Sequence, residues 1–198
     1  MTQDRWWEAY DDNGDPLPRA DGIDAAGAEA LIRDAFADVA FPGHWTLSAG
    51  GPATDEPRRV AEVFADKTDW RTLDSAFLDR APDGQGSALS FLSDAAWRFY
   101  LPAFLIADLR GELSHARPLH TIVGGLTDED RERRINPRLY GERTWGDNAR
   151  HRLSMLDDAQ VRAVSAYLEV KARASAFDAR LVTEARAAWF DARLARAT

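Results

Sequence analysis

The segment ALSFLSDAAWRFYLPAFLIADL, residues 88–109, constrains the fold of this chain more than any other stretch. Ser93 is placed to act as a helix N-cap, with Asp94 in the first turn complementing the helix dipole. Leu92 before the cap and Trp97 after it have the spacing of a hydrophobic staple. Beyond the cap Trp97, Phe99, Tyr100, Leu101, Phe104 and Leu105 occupy every side of the helix, and a helix without a polar face has to be surrounded by other elements. Pro102 removes the hydrogen bond to the carbonyl of Arg98, which predicts a kink at a local cost of about 3 kcal/mol. The apolar run Trp97–Ile106 contains Arg98 and Pro102 and falls short of the roughly 18–20 residues that span a bilayer. The segment therefore predicts the centre of a helical domain.

The chain has 198 residues, enough for one domain. A domain of this size buries about 70% of the surface its unfolded chain exposes, which supports one substantial core. Cysteine is absent. That removes disulfides, thiolate nucleophiles and thiolate zinc sites, and it suits a reducing compartment. The opening residues MTQDRWWEAYDDNGD lack a basic stretch followed by an apolar one, so a secretory signal is not expected. A cytoplasmic protein with no membrane association follows. Lys67 and Lys171 are the only lysines and arginine supplies the other basic residues; with abundant Ala and Asp, this suggests a GC-rich bacterial genome. A net charge of −8 disfavours nucleic acid, because that binding draws its affinity from basic residues on phosphates. It suits a basic protein partner.

Along the chain, residues 1–22 are expected to form an N-terminal arm or hairpin, in which WWEAYDDNGDPLPR predicts a small β-hairpin or a docked arm. Asp11, Asn13 and Asp15 have the alternate spacing of a calcium loop, but Pro16 stands where its glycine belongs and the terminal glutamate is missing. Residues 23–198 form the helical domain. A first helix is predicted over 24–39, with Leu31, Ile32, Phe36 and Val39 inward, and Phe41-Pro42-Gly43 stopping it. A loop follows, with room for one short strand. Thr54 then caps a helix carrying Val60, Val63 and Phe64, and another short helix from Asp69 turns Trp70, Leu73 and Phe77 inward. Pro118 opens a helix to Val123, Thr127 begins a charged one, and INPRLYGERTWGDNAR reads as a long surface loop, where function often sits. Asp157 and Gln160 form a capping-box pattern. Residues 157–198 contain neither Gly nor Pro and predict either one long helix or two broken near Ser175, an antiparallel pair being the preferred reading, with Phe177, Leu181, Ala185 and Trp189 continuing at helical spacing.

Recognisable chemistry is scarce. His44, His115, His120 and His151 show no i,i+4 pair and no HExxH, so neither a metal site nor a cofactor is predicted. The phosphate loop, the dinucleotide fingerprint and the G-x-S-x-G elbow are all missing. Two features invite a functional reading. Arg98 and Tyr100 lie on an apolar helix, where a buried guanidinium needs a carboxylate partner or a ligand unless it snorkels outward. Trp6, Trp7, Trp45 and Trp145 lie in loop-like or terminal contexts, where they either plug the core or mark a binding surface.

Phe41-Pro42-Gly43, Asp55-Glu56, Phe64, Trp70, the ALSFLSDAAWRFYLPAFL segment and Leu156-Asp157-Asp158-Ala159-Gln160 ahead of Tyr167-Leu168 occur in an order that resembles the bacterial family known as domain of unknown function 6714. The likeness covers about residues 23–190 and implies a bacterial cytosolic protein, with no transferable activity or catalytic residues. The expected architecture is a mainly α, single-domain orthogonal array around a Pro-kinked central helix. The preferred reading is a non-catalytic protein–protein binding module, an immunity-like or accessory protein. The alternative is an enzyme or a binder of small anionic ligands, with Arg98 and Tyr100 facing Asp55 or Glu56 across a cleft walled by Trp70.

Overall fold

The computed structural model describes residues 22–48, 55–80 and 87–196. The expected N-terminal hairpin lies outside them. The described residues are mainly helical, and their only β pairing consists of two isolated bridges, Ser48 with Leu92 and Arg134 with Thr144.

Asp24 caps α1 (Ala25–Ala35) by accepting from the Gly27 N–H at 2.7 Å. The helix ends four residues earlier than its periodicity suggests, because the amides of Ala37 and Val39 bond three residues back and tighten the chain into turns. Leu31 within the helix is exposed, while Ile32 and its C-cap Phe36 are buried. Gly43, at φ +93°, turns the backbone through a region that side-chain-bearing residues rarely adopt. It leads into a 3₁₀ turn at His44–Thr46. Helix α2 (Asp55–Phe64) buries Val60 and Phe64 and leaves Val63 exposed; its expected cap, Thr54, lies outside the described residues. The single helix expected from Asp69 is instead two pieces. Asp69 caps a 3₁₀ turn at Trp70–Thr72, Leu73 is extended, and Asp74 accepts from the Phe77 N–H at 2.7 Å within α3 (Ser75–Arg80). Two capping aspartates close together restart the chain.

A short α4 (Ala88–Phe91) precedes extended Leu92, and α5 (Asp94–Leu109) follows. Ser93 caps α5 as expected, accepting from the Ala96 N–H at 3.1 Å, and its hydroxyl donates to the Thr46 carbonyl. Pro102 sits inside the helix. Helices α1, α3, α6 (Pro118–Val123) and α9 (Asp158–Ala174), together with the Trp70 turn, pack around α5, so the apolar segment is the centre of the array.

Thr127 begins a run of turns and not a helix. The Asp128 amide donates to Glu184 at 3.0 Å and the Gly146 amide to the Arg131 carbonyl at 3.1 Å, so backbone groups there serve tertiary pairs. The stretch expected to be an irregular loop is ordered. Ile135 N–H bonds the Arg143 carbonyl at 3.0 Å and Trp145 N–H the Arg133 carbonyl at 2.9 Å. They close an excursion that carries α7 (Pro137–Tyr140) and runs into α8 (Trp145–Leu153).

Ser175, extended at φ −158°, ψ 134°, separates α9 from α10 (Ala176–Ala185) where two helices were expected. A π-helical turn, Arg186–Phe190, leads to α11 (Asp191–Ala195). Arg193 there pairs with Asp158 at the start of α9, so the chain returns antiparallel along α9. Leu181 and Ala185 are buried, but Phe177 faces solvent.

Candidate functional site

The five residues singled out from the sequence are placed in separate surroundings. Arg98 points toward the start of α9. Its Nε donates to Gln160 Oε1 at 2.8 Å and its Nη2 to Asp157 Oδ2 at 3.1 Å. Asp157 and Gln160 form the predicted capping box, and Gln160 Nε2 reaches the Ala35 carbonyl at 3.2 Å. The half-buried guanidinium therefore ties α5 to α9 and, through Gln160, to the end of α1. It lines a cleft of about 510 Å³ whose other charged side chains are Asp34, Asp38, Asp94 and Asp157.

Tyr100, two residues on, projects to another side of α5. Its hydroxyl donates to the carbonyls of Lys67 at 2.8 Å and Phe64 at 3.2 Å, closing the end of α2. Burial, reinforced by the charge of Asp66, pushes its pKa above the ordinary phenol value. Trp70 is buried with Arg71 over its ring at 4.9 Å. Asp55 and Glu56 lie in the exposed first turn of α2, Asp55 pairing with Arg58 at 3.2 Å. Arg98 thus meets Asp157, not Asp55 or Glu56.

A different constellation lies where α6 ends. Gly124 lines two neighbouring concavities of about 280 and 210 Å³, which also share His120 and Asp130, and Gly125 lines the first. Trp145, 39% exposed, walls the first, and Phe177, 57% exposed, walls the second. The His120 ring lies against Phe177 with centroids 6.1 Å apart.

Local sequence explains why the groove holds its shape. A Cβ at position 125 would lie 2.4 Å from the Trp145 carbonyl oxygen, so only glycine lets the end of α6 approach the start of α8 this closely. Thr144 and Asp147 form a reciprocal capping box that fixes the first turn of α8 and hence Trp145. The Thr144 backbone N–H, followed by its hydroxyl, holds the Asp147 carboxyl below the usual range. Arg152 braces the floor: it is 18% exposed, pairs with Asp94 at 3.3 Å, and donates to the carbonyls of Leu89 at 3.0 Å and Leu92 at 3.3 Å. Arg133, paired with Asp130 at 2.9 Å, and Arg180, paired with Glu184 at 2.7 Å, stand along the rims.

This groove brings together the rings of Trp145, His120 and Phe177, the guanidiniums of Arg133, Arg152 and Arg180, and the carboxylate of Asp130. Of the tryptophans flagged in the sequence, Trp45 is fully exposed and Trp145 lines the groove; Trp6 and Trp7 lie outside the described residues. The histidines are dispersed: His115 contacts Asp79 at 2.9 Å and His151 contacts Asp94 at 3.0 Å. Among the described residues no three His, Asp or Glu side chains converge to hold a metal, and no helix is long and apolar enough to cross a membrane. Sequence reading passed over the groove because His120, Gly124, Trp145 and Phe177 are distant in the chain. The Gly-Gly pair after a short apolar helix and the Thr-x-x-Asp cap ahead of α8 were its local traces.

The described residues form a mainly helical array with an aromatic-ended groove on its surface. The chain belongs to the family of unknown function DUF6714, which matches residues 25–192. No curated protein and no solved structure matches the chain.

Proposed function

We propose that this protein is a non-catalytic protein-binding module, an immunity-like or accessory protein of a bacterial cell, whose partner docks in the groove between Trp145 and Phe177. The observation that carries this reading is the pair of half-exposed aromatics at the ends of a glycine-floored groove whose arginine floor is already locked in place. Aromatic and arginine side chains dominate the energetics of protein interfaces, and pre-ordered side chains reduce the entropic cost of association. A small anionic ligand at Arg98 draws less support. That guanidinium already donates to Asp157 and Gln160, and the carboxylates lining its cleft would oppose an anion.

The test is site-specific crosslinking in the native host, with a benzophenone side chain replacing Trp145, Phe177 or, as a control, exposed Arg58 on α2. The reading predicts one defined protein adduct from the Trp145 and Phe177 positions and none from Arg58. The purified partner then binds the wild-type protein and binds Trp145→Ala at least about tenfold more weakly. Indiscriminate adducts from all three positions, or no adduct from the groove, would overturn it.

A further inference from the structure

The cleft lined by Arg98 carries a charge that the described residues leave unbalanced. Four carboxylates line it, Asp34, Asp38, Asp94 and Asp157, against the one guanidinium of Arg98. Asp157 is taken by Arg98, and Asp94 by Arg152 and His151. Asp34 and Asp38 have no ion pair or side-chain hydrogen bond among the described residues, because the neighbouring arginines are committed elsewhere: Arg33 to Glu29, and Arg71 to Asp69 and the Ala37 carbonyl. Asp34 also lies in the last turn of α1, at the negative end of the helix dipole, where a carboxylate is unfavourable. A charge kept there at a cost to the free protein is explained by a cation supplied from outside. Apolar side chains share the wall: Phe41, Pro42 and Met155, the last 43% exposed, line the same cleft. Fully exposed Trp45 stands on the turn just beyond Pro42. That turn is pinned beside the cleft, since the Thr46 hydroxyl donates to the Pro42 carbonyl at 2.7 Å and the Ser93 amide, next to Asp94, donates to the Leu47 carbonyl at 3.0 Å.

We infer that this cleft is a second docking surface, which takes an arginine-bearing basic segment of a partner protein. The guanidinium is received by Asp34 and Asp38, its aliphatic stem lies along Phe41 and Met155, and Trp45 packs on the segment at the edge. Uncommitted carboxylates select a cation by charge complementarity, a long basic side chain buries its stem on apolar surface while its head stays polar, and an exposed indole adds contact area and a face for a cation. The carboxylates do not converge on a point as a metal requires; spread along a cleft, they suit the several donors of a planar guanidinium. The inference goes beyond the Trp145–Phe177 groove and rests on different residues. The two surfaces are linked by α8, which begins at Trp145 and ends just before Met155, a span of about 15 Å, so one partner can cover both.

The inference is tested by titrating the isotope-labelled full chain with three probes and following its amide NMR shifts. The probes are a Gly-Ser peptide with Leu-Arg-Arg-Leu at its centre, the same peptide with neutral citrulline for Arg, and spermidine. The expected result is that the arginine peptide shifts amides within residues 34–45 and 155–157, that its affinity falls with salt, and that the other two probes bind there at least about tenfold more weakly. The double variant Asp34→Asn, Asp38→Asn binds the arginine peptide about tenfold more weakly, yet its own thermal midpoint rises by about 1–3 °C because an unfavourable charge has gone. Trp45→Ser weakens the arginine peptide and leaves spermidine unchanged. Equal binding of the citrulline peptide or of spermidine, shifts scattered over the surface, or a double variant that binds unchanged or loses stability overturns the inference. Those outcomes leave the groove reading standing, and a groove that yields no crosslinked partner leaves the peptide result standing.

Discussion

At the scale of single residues, the polar side chains near the core are mostly fasteners. Asp79 shows this most clearly. Its carboxylate accepts from the backbone N–H groups of Ala116 at 2.9 Å, His115 at 2.8 Å and Ser114 at 3.2 Å, and meets the His115 ring at 2.9 Å. Burial raises its pKa, but the bonds from Ala116, the His115 ring, the His115 amide and Ser114 outweigh it and hold the group well below the usual carboxylate range. Because the folded-state value is depressed, Asp79 contributes stability that is present above the unfolded carboxylate pKa of about 4 and is lost as the pH falls through the folded value. Asp79→Asn is expected to cost about 2 kcal/mol near neutral pH, with the gap from wild type narrowing in acid; urea unfolding across pH reads both. Arg98 belongs to the same group of fasteners. Its need for a partner was legible from the apolar helix around it. Which partner it finds, Asp157 and Gln160, depends on how α9 packs, and no local pattern encodes that.

At the scale of elements, the capping signals were the most readable part of the chain. Ser93 and the Asp157–Gln160 box each sit where their side chains suggest, because a cap is satisfied by amides within three residues. The break at Ser175 was only half readable, since no Gly or Pro marks it; it comes where Ser175 turns extended and caps α10. Periodicity failed at Thr127, where the chain makes local turns bonded three and four residues back instead of a sustained helix, and where two caps lie close together, as at Asp69 and Asp74. The missed cap at Thr144 matters most, because it starts the helix that carries Trp145. Thr144→Ala is expected to lose about 1 kcal/mol of stability and to weaken partner binding by loosening the first turn of α8. Thermal unfolding and binding measured on the same variant check the two effects together.

At the scale of the whole molecule, the described residues form a helical array that buries most of α5 and leaves a groove with exposed aromatics at its surface. The mainly helical fold was legible because α5 admits few environments. The groove was not, because it is assembled from the end of α6, the start of α8 and the start of α10, and only packing brings these together. The wall residues Trp145 and Phe177 are exposed and remote from the core, so removing them tests recognition without dismantling the fold. Once crosslinking has supplied the partner, the most direct measurement is its dissociation constant for the double variant Trp145→Ala, Phe177→Ala, taken beside the thermal midpoint of the same variant. The account predicts at least about a hundredfold loss of affinity with a nearly unchanged midpoint; an unchanged dissociation constant would contradict it.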